Sequence, residues 1–292
     1  MFELVQVGPQ SYYIMSPAKI GIYKPNETDV YLIDSGNDKD AGRKVRKILD
    51  EKGWTLKAII NTHSNADHIG GNRYLQQQYG CPIYAKGIEA DFTRHPVLEP
   101  SFLYGGYPLK ELRHKFLLAE ESDVLDISDE GFPQELEVIS LPGHFFDMIG
   151  IRTPDGTAFL ADCISSRETL EKYRIAFIYD VAAYLETLDR VEAMEAKIFV
   201  PAHTEACSDL KELIEFNRTQ IYEIADRIVA ICETPQVFES ILKQLFDGYG
   251  LAMSFEQYVL VGSTVRSYLS WLKDTGKVWA NIESNCILWE KL

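Results

Sequence analysis

No stretch of this chain approaches the roughly 20 consecutive apolar residues that a bilayer-spanning helix needs, so a membrane protein is not expected. The opening residues, MFELVQVGPQ, lack the basic flank and apolar stretch of a secretory signal, and the expected compartment is the cytosol. Cysteine is scarce and scattered. Cys81, Cys163, Cys207, Cys232 and Cys286 are odd in number and never form a Cys-x-x-Cys pair, which argues against a disulfide framework or zinc finger and for reduced thiols. Positive charge is short as well: 29 basic residues face 44 acidic ones, a formal charge of −15, and such a surface repels phosphate backbones. Nucleic acid and membrane are therefore poor partners, and a small-molecule substrate is the better expectation, with a homodimer left open. Also missing are a Gly-x-Ser-x-Gly elbow, a P-loop, and a Gly-x-Gly-x-x-Gly after a strand, which leaves serine-hydrolase, nucleotide-hydrolase and dinucleotide chemistry without support.

What is present suits one large α/β domain with a small appendage: 292 residues, 46% of them hydrophobic, can bury a substantial core. FELVQV, SYYIMS, KIGIY and DVYLIDSG read as successive strands, the last leaving through a turn at Asp34-Ser-Gly36. Val45, Ile48 and Leu49 mark one face of a helix over 40–52, and WTLKAIINT then reads as a buried strand. Residues 95–118 show no clean period, and their prolines, glycines and aromatics describe either a lid over a site or a surface excursion. Strands return with ELEVISLPGH, MIGIRTP, TAFLAD and KIFVPAH, with a helix over 181–194 between the last two. A long helix is expected over 208–232, and Thr234-Pro235 then reads as the start of a C-terminal module, 234–292, made of two helices and a hairpin.

Only six histidines occur, and His63, His68, His144 and His203 each lie just beyond an expected strand, as do Asp67 and Asp162. Loops at one sheet edge can bring such residues together. Imidazoles and carboxylates without cysteine suit zinc, iron or manganese and leave room for water. A lone histidine after a strand is nevertheless more often structural than a ligand, so the residues alone leave convergence as a conjecture.

THSNADHIGGN resembles the signature of the metallo-β-lactamase superfamily, His-x-His-x-Asp-His followed by a glycine pair. LPGH, FLAD and PAH then supply His144, Asp162 and His203 in the family's order. The resemblance covers the chain to about residue 210 and implies a four-layer αββα sandwich over 1–233 that holds one or two divalent metal ions, zinc first and iron or manganese as alternatives. It implies that His63 and His144 serve one metal, that Asp67, His68 and His203 serve a second, and that Asp162 bridges them. Asp67 would also act as a proton carrier in catalysis.

Asn65 departs from that pattern, standing where a third histidine is expected. An amide oxygen is a weaker zinc ligand than imidazole. Three consequences stay open: a mononuclear site, a binuclear site with Asn65 as oxygen ligand or water anchor, or a fold that has lost catalysis. Phe145 and Phe146 follow His144 where the family often has a small turn, and with Tyr104 and Tyr107 they are candidates for an apolar substrate pocket; the alternative for the two phenylalanines is the core. Cys163 is expected to be a small buried residue beside Asp162, and His95 and His114 to lie on the surface or lid. The C-terminal module resembles the winged-helix appendage of one branch of the superfamily. Its five basic and six acidic residues do not make the basic face of a DNA-binding domain. The leading expectation is hydrolysis of an ester, thioester or related acyl bond by metal-activated water. Phosphodiester or RNA cleavage and a non-catalytic metal- or ligand-binding protein are the alternatives.

Overall fold

The computed structural model describes residues 2–292. An antiparallel meander opens the chain: β1 (Leu4–Gln6), β2 (Ser11–Ile14), β3 (Ile20–Tyr23) and β4 (Asp29–Ile33). The pairing then turns parallel, because α1 (Lys39–Lys52) carries the chain back along the sheet to β5 (Thr55–Ile60). Asp38 starts α1 by accepting the backbone N–H of Ala41, and Gly53, with φ of 67°, ends it. After α2 (Ala66–Ile69) and α3 (Asn72–Tyr79) comes β6 (Ile83–Ala85). The helices α4 (Ile88–Arg94) and α5 (Leu98–Tyr104) and a 3-10 turn at Lys110–Leu112 precede β7 (Leu125–Asp126), which completes a seven-stranded sheet in sequence order.

A second sheet contains β8 (Glu137–Ser140), β9 (Ile149–Arg152) and β10 (Thr157–Ala161). After α6 (Arg167–Tyr173) and α7 (Val181–Glu192), β11 (Ile198–Pro201) adds in parallel to β10, giving the order β11-β10-β9-β8. The chain ends with α8 (Lys211–Ile231), α9 (Phe238–Tyr249), α10 (Phe255–Asp274) and a hairpin of β12 (Val278–Glu283) and β13 (Cys286–Lys291).

Strand patterning explains the layers. Along β4, Val30 and Leu32 face Val45 and Leu49 of α1 and Leu75 of α3, whereas Tyr31 and Ile33 face the other sheet. Ile33, Ile60 and Tyr84 of the first sheet share a buried cluster with Ile149, Ile151 and Phe159 of the second. On the far side, Leu160 packs in a cluster with Leu188 of α7 and Ile228 of α8. Helices, sheet, sheet and helices follow one another, the four-layer αββα sandwich. The last elements are part of this outer layer: Leu242, Leu245, Val265, Tyr268 and Val278 belong to the same cluster as Leu160 and Leu188.

Three local expectations change. The segment 95–118 is not wholly irregular, since α5 and the 3-10 turn lie in it and α4 ends just before it. Arg167–Tyr173 is a helix that the sequence pattern did not single out, started by the Ser166 hydroxyl accepting from Thr169 N–H. Thr234-Pro235 does not begin a helix. There Gln236 pairs through its backbone with Trp289 of the hairpin, and α9 starts only at Phe238. Among the described residues, no helix is long and apolar enough to cross a membrane.

Candidate metal centre

Four strand ends deliver the candidate ligands to one place. His63 follows β5, and the short α2 presents Asp67 and His68 on its first turns. Tight contact behind α2 requires the glycine pair: a Cβ on Gly71 would lie 2.3 Å from the carbonyl oxygen of Ser35. His144 follows β8 through Gly143, whose φ of +119° and approach to the backbone of Tyr184 admit no side chain. Asp162 follows β10 through Ala161, held at φ of 50° beside a shift in strand register. Such an irregularity re-aims the next side chain. His203 follows β11.

The side chains form two overlapping groups, Asp67, His68, Asp162 and His203 in one and His63, His144 and Asp162 in the other. Within each, ligand atoms lie within 4.8 Å of one another. Every imidazole has its Nδ1 engaged outside the centre. That of His63 meets Thr62 Oγ1 at 3.0 Å, and that of His68 meets Asp34 Oδ2 at 2.8 Å. Those of His144 and His203 meet the carbonyl oxygens of Phe177 at 3.1 Å and Pro17 at 3.0 Å. All four rings therefore turn Nε2 inward, the arrangement that outer partners impose on metal-binding histidines. Nε2 of His63 is buried without a hydrogen-bond partner, and Nε2 of His68 and Oδ1 of Asp162 are buried facing only each other, 3.0 Å apart. Buried polar atoms seldom stay unsatisfied, and these atoms and their neighbours fit a divalent cation.

Charge in the centre is arranged around the two aspartates. Burial alone would lower the His68 imidazole, yet Asp162, Asp67 and Asp34 together hold it well above its ordinary value. His203, likewise opposed by burial, is pushed up to about 10 by Asp162 and Asp67. Burial and the neighbouring His68 keep His63 well below its ordinary value, and burial also lowers His144. Against burial, His68 and His203 keep the Asp67 carboxyl below the usual carboxylate range, and His203 and His68 do the same for Asp162. The aspartates thus stay ionised in a buried site.

Asn65, just before α2, joins the cluster without being an imidazole. Its Oδ1 lies 3.2 Å from His144 Nε2, and its Nδ2 donates to Glu99 Oε1 at 2.8 Å. A cavity of about 630 Å³ opens onto His144, Asp162 and His203. Its walls are mainly apolar, including Phe116, Ile164, Ile175, Phe177 and Leu260. His114 and Glu256, 3.1 Å apart, join the 95–118 segment to α10 along that wall. The expected pocket residues lie elsewhere. Phe145 is fully buried and Phe146 is half-buried, and both pack against Phe92 of α4 and Phe102 of α5. Tyr104 and Tyr107 are exposed, Tyr107 accepting from Arg113, and neither lines this cavity. Helix formation in α4 and α5 gave the phenylalanines a core to join, which the sequence pattern did not show. Cys163 is buried, its thiol pushed up by burial. His95 is exposed.

Sequence reasoning missed three carboxylates that support the centre. Asp34 accepts from Thr62 N–H at 2.8 Å and Thr62 Oγ1 at 2.7 Å as well as from His68. The Asp-Ser-Gly strand exit was a signal, but it read only as a turn. Glu89 accepts from Ser64 N–H at 3.0 Å, Ser64 Oγ at 2.6 Å and Asp147 N–H at 2.8 Å, tying the loop after His63 to the loop after His144. Glu89 and Glu99 had no motif to mark them.

Similarity to known proteins agrees with this architecture. An uncharacterized protein of Mycobacterium tuberculosis is 26% identical over 149 residues, 49% of this chain and 63% of that protein. A hydroxyacylglutathione hydrolase of Maricaulis maris is 27% identical over 144 residues, 49% of this chain and 46% of that enzyme. The chain thus spans less than two-thirds of the length of either relative. Among solved structures, a beta-lactamase domain protein from Burkholderia ambifaria superposes with a TM-score of 0.74 at 15% identity, covering 99% of this chain and 94% of that one. The family model of the metallo-beta-lactamase superfamily matches residues 17–203, the stretch that carries every strand-end ligand described above, and the chain belongs to that superfamily.

Proposed function

We propose that this protein is a metal-dependent hydrolase of a small ester, thioester or related acyl compound. The observation that carries the reading is the mainly apolar cavity opening onto the histidine–aspartate cluster. His63, His144 and Asp162 would hold one divalent cation, and Asp67, His68, His203 and the shared Asp162 a second. Bound there, such ions supply Lewis acidity and a water that loses its proton near neutral pH. The protein's own residues do the rest. Asp67, whose partly exposed side chain lies 3.4 Å from His203 and 3.7 Å from His68, is placed to take the proton released on attack. Phe177, Ile164 and Leu260 exclude water from the acyl arm, while Ser165, Thr169 and Gln257 offer polar contacts along the same wall. The C-terminal module, read as winged-helix-like, contributes part of the wall through α10 and so shapes access. The acidic surface and this apolar lining favour an acyl substrate over a polyanion.

Purified protein reconstituted with zinc or manganese should hydrolyse acyl thioesters or esters, with kcat/KM rising as the acyl chain lengthens into the cavity. Leu260→Trp should cut kcat/KM for the longer chains about tenfold while leaving metal content unchanged. Fully loaded protein that cleaves only a phosphodiester such as bis(4-nitrophenyl) phosphate, or turns over no acyl compound, would overturn this function.

A further inference from the structure

We infer that Glu99, reaching in from α5, fixes Asn65 as an oxygen ligand of the first metal position. This rests on the metal-centre reading above and adds a positioning residue that the signature motif does not contain. Two facing atoms carry the argument. His144 Nδ1 donates to the Phe177 carbonyl, so its Nε2 presents a lone pair, and Asn65 Oδ1 faces it at 3.2 Å. Two bare acceptors so close repel each other unless something positive lies between them. Atoms that share one ion at about 2.1 Å, across a tetrahedral angle, stand about 3.4 Å apart, and the observed separation is close to that.

Glu99 decides which end of the amide faces inward. Its Oε1 accepts from Asn65 Nδ2 at 2.8 Å, and it does so whether or not the other carboxyl oxygen carries a proton. The amide nitrogen is thereby directed away from the centre and the oxygen toward it. The carboxyl also accepts the Ala66 N–H, is only 4% exposed, and has no lysine, arginine or histidine paired with it among the described residues. The first position then offers His63 and His144 nitrogens with Asp162 and Asn65 oxygens. Such a set is harder than one with three imidazoles and shifts preference from zinc toward manganese or iron(II).

The test is metal titration by competition against a chelator, with manganese and zinc in turn, on the wild type, Glu99→Ala, Glu99→Gln, Asn65→Ala, Asn65→His and the double alanine variant. Two equivalents are expected in the wild type, one held more weakly. Glu99→Ala and Asn65→Ala should each weaken that equivalent about tenfold or more and leave the other unchanged. The double variant should be no worse than either single one, because both changes remove the same ligand. Glu99→Gln keeps an acceptor and should stay within a few-fold of wild type, and Asn65→His should favour zinc. Equal weakening of both equivalents, no weakening of either, or additive losses in the double variant would overturn the inference. Should Glu99→Ala not fold, wild-type affinity in Asn65→Ala alone suffices to overturn it. A single equivalent in the wild type, rising to two only in Asn65→His, overturns it while the proposed function stands. Failure of the wild type to bind any metal removes the metal-centre reading itself.

Discussion

Asp34 occupies left-handed backbone with φ of 65°, a conformation that costs a non-glycine residue about 1 kcal/mol or more. Its carboxylate fastens Thr62 and His68, and Thr62 in turn meets His63, so one strained residue orients a ring from each metal position. Asp34→Ala should keep all ligands yet lower metal affinity about 10- to 100-fold, read by chelator competition. Unchanged affinity would show that the rings hold their orientation without it. Glu89 makes a pH-dependent contribution. Burial pushes its carboxyl up to about 7, against the donors on Ser64 and Asp147. Because the folded value exceeds the ordinary 4.5, the native protein holds this proton more tightly than the unfolded chain. The stability it contributes is complete below about pH 4.5 and is lost as pH rises through 7, by about 3 kcal/mol in all. Glu89→Gln cannot lose that proton. Its urea midpoint should therefore fall less than that of the wild type between pH 5 and pH 8; equal declines would remove Glu89 as the cause. The ligands were legible in the sequence because a motif spaces them, whereas Glu89 and Glu99 reach the centre only through tertiary packing.

At the level of elements, α10 links the last helices of the chain to the site. Ser254 starts this helix by accepting the Gln257 N–H, and the next turns bring Glu256, Gln257, Leu260 and Val261 to the cavity. Ser254→Ala should cost about 1 kcal/mol in chemical denaturation. Because the loosened turn borders the cavity and carries no candidate ligand, KM should rise more than kcat falls, with metal content unchanged. A change in kcat alone would separate α10 from substrate binding. Most elements could be read directly: β4 alternates between two apolar faces, and α1 shows a single stripe between a cap and a glycine. The failures share a cause. In α4 and α5, Phe92 and Phe102 point toward Phe145 and Phe146 rather than along a regular stripe. At Thr234-Pro235 a plausible local start lost to backbone pairing between Gln236 and Trp289. Contacts distant in sequence decided both.

Across the whole molecule, the proposed boundary at 233/234 separates segments that share one hydrophobic cluster, with Leu188 and Ile228 on one side and Leu245, Tyr268 and Val278 on the other. Thermal unfolding followed by calorimetry and by tryptophan fluorescence should give one coincident transition. A chain ending at residue 233 should lose solubility, since it would expose the partners of Leu245 and Tyr268; a soluble, metal-binding fragment would establish 1–233 as an independent unit. That shared cluster also sets an order of events during synthesis. His203, the last ligand, precedes Val278 by 75 residues, or roughly 4 to 15 s of translation. For that interval every candidate ligand has been made while the layer that backs β10 and β11 is still incomplete. The nascent chain can therefore meet metal before the helices and hairpin that share this cluster have been made.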